Sequence, residues 1–113
     1  MASATDDHGR YAKPVVIPEN LHLLVGPVDG TVSLPHHLDW SGNAHYDLER
    51  PGRIVDLYRA VINEAASQAD LHTYLNESVL KRLWSYIWLP AQTRRAWESR
   101  FPELAQLSRL ASA

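Results

Sequence analysis

The chain has 113 residues, 45% hydrophobic and 21% charged, which suits one globular domain with a modest core and leaves no room for two. It has no cysteine, so disulfide staples, thiolate zinc sites and cysteine nucleophiles are excluded. Its net charge of −2 is uneven: residues 1–50 carry three basic and seven acidic side chains, and residues 51–113 carry eight and six.

Residues 1–13 are small and polar without periodicity, and read as a disordered tail. They contain no apolar stretch like that of a signal peptide, and no run in the chain is long enough to span a bilayer, so a cytoplasmic protein with no membrane partner is expected. Val15, Val16 and Ile17 follow, trapped between Pro14 and Pro18. Proline lacks an amide donor, so this piece can be an edge strand or an extended strap. Gly26-Pro27 and Asp29-Gly30 are turn signals, and they predict a small β-hairpin over residues 21–34. Residues 34–43 read as extended, because Pro35 and the Ser41-Gly42-Asn43 turn oppose helix.

The character changes at Asp47. Arg50-Pro51 opens the first helix, with Pro51 expected near its first position, where a missing N–H costs nothing. Ile54, Leu57, Tyr58, Val61, Ile62 and Ala65 then form one apolar stripe at helical spacing. Ser67 or Asp70 can cap a short second helix carrying Leu71, Tyr74 and Leu75. Asn76 can cap a third, with Val79, Leu80, Leu83, Trp84, Ile87 and Trp88 on its apolar face. Leu89-Pro90 ends it, Pro90 starts a fourth helix through Arg100 with Ala96 and Trp97 on its apolar side, and Phe101-Pro102 separates a last helix carrying Leu104, Leu107 and Leu110. The predicted fold is mainly α: a compact array of four to five short helices over residues 47–112, preceded by an extended strap over residues 14–46 that can carry the hairpin.

Candidate chemistry is sparse. His36, His37, Asp39, His45 and Asp47 are the right ligand types for zinc or another divalent ion. Adjacent histidines in an extended segment point to opposite faces, however, so no metal site is expected, and a metal-dependent enzyme using His36, His37 and Asp39 is the weakest reading. The glycines are dispersed at turns, and neither a nucleophile elbow nor a phosphate loop is present. No cofactor is expected, and the chain reads as non-enzymatic.

Two surfaces stand out. Lys81, Arg82, Arg94 and Arg95 lie in a basic C-terminal region, and residues 68–88 have the length of a helix–turn–helix. Glu77 would meet the phosphates first there, which is unfavourable. Among the four tryptophans, Trp84 and Trp88 share a stripe and read as core, Trp40 as the ring that pins the strap to the helices, and Trp97, with Arg94 and Arg100 nearby, as an exposed anchor.

Leu34-Pro35, Leu38-Asp39-Trp40-Ser41, Tyr46-Asp47-Leu48, Leu57-Tyr58, Tyr74-Leu75-Asn76, Leu89-Pro90, Ala96-Trp97-Glu98 and Phe101-Pro102-Glu103-Leu104 together resemble a family of small uncharacterised actinobacterial proteins, over about residues 21–107. Members of that family are encoded beside nucleotidyltransferase toxins of the AbiEii type, so the resemblance implies an antitoxin-like role. The expected function is therefore a protein-binding partner that covers a basic site on a toxin, with Asp39, Trp40, Asp47 and Trp97 as its contacts. The alternative is a small helix–turn–helix-type DNA-binding regulator using Lys81, Arg82, Arg94 and Arg95.

Overall fold

A computed structural model describes residues 14–112; the tail expected over residues 1–13 lies outside them. Over the first described residues no helix or strand forms; Val15, Val16 and Ile17 pack on the core and the Ile17 carbonyl accepts from Gln68 Nε2 at 3.2 Å. A single 3₁₀ turn, Leu21–Leu23, follows, its first amide groups satisfied in part by the Asn20 side chain, which accepts from the His22 N–H.

This turn is where the predicted hairpin fails. Strand alternation over residues 21–25 would bury Leu21, Leu23 and Val25 together, whereas the helical turn buries Leu21 and Leu24 and leaves Leu23 and Val25 exposed. Val25 instead forms an isolated antiparallel bridge with Asn76, and the Gly26 N–H donates to the Leu75 carbonyl at 2.7 Å. The strand β1 (Thr31–Ser33) pairs with β2 (His45–Asp47), with Val32 opposite Tyr46. Those two side chains are buried while Thr31, Ser33 and His45 face out, the alternation that a half-buried hairpin requires.

Helix α1 (Arg53–Glu64) begins later than Pro51 suggests. The chain first makes a turn, in which Arg50 N–H donates to Asp47 O at 3.0 Å, and Gly52 takes φ +84° as the N-cap, a left-handed conformation that side chains with a Cβ resist. The predicted stripe is borne out: Leu57, Tyr58, Val61, Ile62 and Ala65 are buried, and Ile54 packs against them. Helix α2 (Gln68–Tyr74) is capped by Ser67, whose side chain accepts from the Asp70 N–H. Asp70 sits in the first turn and accepts in return from the Ala66 N–H at 2.9 Å. Helix α3 (Glu77–Leu83) is capped by Asn76, which accepts from the Val79 N–H at 3.2 Å.

The apolar face of α3 extends into a 3₁₀ turn, Trp84–Tyr86, that buries Trp84, and into Ile87, which is already extended at ψ 124°. Trp88 therefore lies beyond the helix, and the stripe that would have buried it does not reach it: Trp88 is 70% exposed. Helices α4 (Ala91–Arg100) and α5 (Pro102–Ser112) pack on this turn and on each other. Trp97 stacks between Trp84 and Phe101, with ring centroids 5.9 and 6.2 Å apart, inside the range of favourable tilted aromatic pairs. Glu98 ties the three elements together. It accepts from Trp84 Nε1 at 2.8 Å and from the Ser108 hydroxyl. Among the described residues the fold is thus mainly helical, with a two-stranded antiparallel sheet ahead of five α-helices. Among the described residues no helix is long and apolar enough to cross a membrane.

Candidate interaction groove

An open groove of about 900 Å³ runs between the strap, the polar side of α1 and the Trp88–Pro90 link. On α1, Asp56, Ala60, Asn63 and Glu64 recur at helical spacing opposite the buried stripe, which is why one wall is polar. On the strap, the chain turns at Pro35, whose carbonyl accepts from the Leu38 and Asp39 N–H groups. That turn breaks strand alternation, so Leu38 is buried while Trp40, two residues on, is 72% exposed. Trp40 and Trp88 both line the groove.

Asp39 and Tyr46 form the floor. Asp39 Oδ1 accepts from the Ser41 N–H at 3.0 Å and from the Ser41 hydroxyl at 2.6 Å, and Oδ2 accepts from the Tyr46 hydroxyl. The Ser41 and Tyr46 hydrogen bonds hold the Asp39 carboxyl below its ordinary range. Burial, reinforced by Asp39, pushes the Tyr46 phenol up to about 12. Arg53 clamps the strap onto α1. Its guanidinium lies 4.0 Å over the Tyr46 ring, and it donates to Asp56 at 3.2 Å, to the His45 carbonyl at 2.9 Å and to the Asn43 carbonyl at 3.3 Å. Sequence reasoning missed Arg53. Its signal was a cation in the first turn of a helix, where the dipole disfavours positive charge, so another set of contacts has to hold it there.

The four expected partner contacts do not converge. Asp39 and Trp40 are in the groove. Asp47 is outside its lining and caps a turn, accepting from the Glu49 N–H at 3.0 Å. Trp97 is corrected from exposed anchor to core, at 0% exposure, because the face of α4 that carries it packs on Trp84 and Phe101. Trp88, expected to be core, is exposed, and so is Trp40, expected both as the ring that pins the strap and as a partner contact.

The basic residues disperse similarly. Arg94 donates to the Trp84 carbonyl at 3.2 Å and to the Ile87 carbonyl, and its guanidinium lies 4.9 Å from the Trp84 ring centre. It caps the end of the 3₁₀ turn, a correction to its expected place as a free cation. Lys81 pairs with Glu77 at 2.9 Å, and His22 Nδ1 meets the other oxygen of that carboxylate at 2.8 Å. Arg82 and Arg95 are exposed. The helices α2 and α3 have seven residues each, about 10 Å apiece. His36, His37 and Asp39 do not come together: His37 Nε2 meets Asp70 at 3.1 Å, Asp39 is turned to Ser41 and Tyr46, and His36 is exposed. Among the described residues no group of three or more histidine and acidic side chains could hold a metal ion.

Comparison of the chain with protein-family models, with curated proteins and with solved structures finds no match. The groove has to be read on its own chemistry. It offers two indole faces, a fixed carboxylate and a polar helical wall.

Proposed function

We propose that the protein is a binding module that engages another protein through this groove, with Trp40 and Trp88 as the anchors. The observation that carries the reading is the exposure of two indoles, 72% and 70%, on one groove. A tryptophan buried at an interface removes roughly 150–250 Å² from water, and tryptophan is enriched among the few residues that carry most of a binding energy. The strap is well fixed behind Trp40 by Leu38, Tyr46 and Arg53, so binding would order little further backbone.

The resemblance of the sequence to proteins encoded beside AbiEii-type nucleotidyltransferase toxins suggests a partner of that class. The role would be antitoxin-like and the mechanism steric, with the acidic front half laid over a basic site. The DNA-binding alternative has less support, since Arg94 is spent on carbonyls and Lys81 is paired.

The test is capture of the native partner, its identification, and reconstitution with purified chains. Trp40→Ala and Trp88→Ala should each weaken the reconstituted complex about tenfold or more, with unchanged circular dichroism. Retention of full affinity by both variants would remove the groove from the interface. A salt-dependent shift of duplex DNA, abolished by Arg82→Ala with Arg95→Ala, would favour the alternative.

A further inference from the structure

The start of α4 forms part of the groove wall, through Pro90, Gln92 and Thr93, with Trp88 just before them. This helix has ten residues. Its N-cap is Pro90, which makes no side-chain cap, and its first turn has no acidic residue. Hydrogen bonding along the helix begins with the Arg94 N–H on the Pro90 carbonyl at 3.0 Å, and among the described residues nothing accepts from the N–H groups of Ala91, Gln92 or Thr93. A second observation points to the same place. Thr93 is only 9% exposed, yet among the described residues its hydroxyl has no hydrogen-bond partner. Buried polar groups ordinarily have one. Helical Cα–Cβ bonds tilt toward the N-terminus, so the Thr93 side chain leans back over the first turn, on the groove.

Backbone N–H groups at a helix start, together with the helix dipole, favour a negatively charged acceptor. The hydroxyl adds a donor. A phosphate carries close to two charges and draws on arginine forks, and the guanidiniums around the groove are committed elsewhere. Arg53 is engaged by Asp56, by two carbonyls and by the Tyr46 ring, Arg94 by the Trp84 and Ile87 carbonyls, and Arg59 has Asp56 at 4.0 Å. A neutral carbonyl would suit the donors, with bonds about half as strong as those to an ionised acceptor. A carboxylate, with one charge and two acceptor oxygens, matches a few N–H groups and one hydroxyl.

We propose that, on the reading that the groove binds a partner protein, the start of α4 receives an aspartate or glutamate side chain of that partner, its carboxylate accepting from the first-turn N–H groups and from the Thr93 hydroxyl, beside Trp88. The partner thereby caps a helix that its own chain leaves without a side-chain cap.

The probe is sodium acetate, titrated into the isotope-labelled full chain at constant ionic strength and followed by amide NMR, beside acetamide. The amide signals of residues 91–93 shift saturably with acetate and not with acetamide. Thr93→Val keeps the shape and removes the hydroxyl. It weakens acetate about threefold or more and leaves the free chain at least as stable, since a buried hydroxyl without a partner is unfavourable. Gln92→Glu brings a carboxylate into the first turn, raises the melting temperature and also weakens acetate. No saturable shift at residues 91–93, or one that Thr93→Val leaves unchanged, overturns the proposal. So does a marked loss of stability in Thr93→Val, which would give the hydroxyl a structural partner. A reconstituted partner that needs Trp40 and Trp88 but is indifferent to Thr93→Val and Gln92→Glu keeps the groove as interface and overturns the carboxylate. A partner indifferent to both tryptophans overturns the groove as interface, and acetate shifts that respond to Thr93→Val then still assign a carboxylate site to α4.

Discussion

The hydroxyl of Tyr58, in the middle of α1, accepts the backbone N–H of Asn76 at 2.8 Å, the residue that caps α3 with its side chain and bridges to Val25 with its backbone. One phenol thus fixes the junction of α1, α3 and the strap. Tyr58→Phe keeps the packing and removes the acceptor. The orphaned N–H should cost about 1–3 kcal/mol, read as a lower midpoint in urea with an unchanged slope. The alkaline side gives a second readout. Burial pushes the Tyr58 phenol up to about 12, against the opposing hydrogen bond from Asn76. A raised folded value means that the neutral form is favoured in the fold. Its stability is fully present below the unfolded value of about 10 and is lost as pH rises toward about 12. The Phe variant should show a shallower alkaline fall, and an identical one would place the sensitivity elsewhere, at Tyr46 first.

The tryptophans should separate cleanly by stability. Trp97→Ala empties a site at 0% exposure between Trp84 and Phe101 and should cost about 3–5 kcal/mol, a large share of the roughly 5–15 kcal/mol typical of a domain. Trp40→Ala and Trp88→Ala should stay within about 0.5 kcal/mol of the parent, as exposed changes do. Thermal melts followed by circular dichroism decide this, and a stable Trp97→Ala would return that side chain to the surface.

Gly26 is required for close approach. A Cβ there would lie 2.4 Å from the Tyr74 carbonyl carbon and 2.8 Å from the Leu75 nitrogen, both backbone atoms that cannot rotate away. Gly26→Ala should therefore cost about 1–3 kcal/mol through displacement of the strap from the end of α2. Amide exchange at Gly26 and Glu77, whose N–H groups donate across this seam to Leu75 and Leu24, should rise before that of α1 does. Protection unchanged at both amides would show that the seam tolerates the methyl group.

Acid should loosen the contacts between the strap and the helices. For Asp70, burial opposes ionisation, but hydrogen bonds from the Ala66 N–H, His37 and the Ser67 N–H and side-chain charge outweigh it and hold the carboxyl below its ordinary value. Glu77 is held low by Lys81 first, against burial, with help from His22. Groups with depressed folded values contribute stability that is present above their unfolded values of about 4 and is lost as pH falls through the folded ones. Urea midpoints should therefore decline on acidification below about pH 4.5. Asp70→Asn, which keeps an acceptor for Ala66, should make that decline shallower, and an unaltered acid limb would show that Asp70 does not contribute to it.

Much of the helical half was legible in the residues. The stripe from Leu57 to Ala65, the caps at Ser67 and Asn76 and the breaks before Pro90 and Pro102 follow from local rules, because each depends on neighbours within one or two turns. The candidate groove was legible only in its strap, at Asp39 and Trp40. Periodicity assigns a face only while the helix lasts, so Trp88 left the stripe once the chain tightened to 3₁₀ at Trp84 and extended at Ile87. Leu21 to Val25 suited either a strand or a turn, and the choice fell to packing, with Leu21 and Leu24 burying together and Asn76 supplying the pairing partner. An indole has the same large apolar surface whether it fills a core or anchors an interface, so no local rule separates Trp97 from Trp40. That separation came from where α4 met Trp84 and Phe101, a contact set by the whole chain.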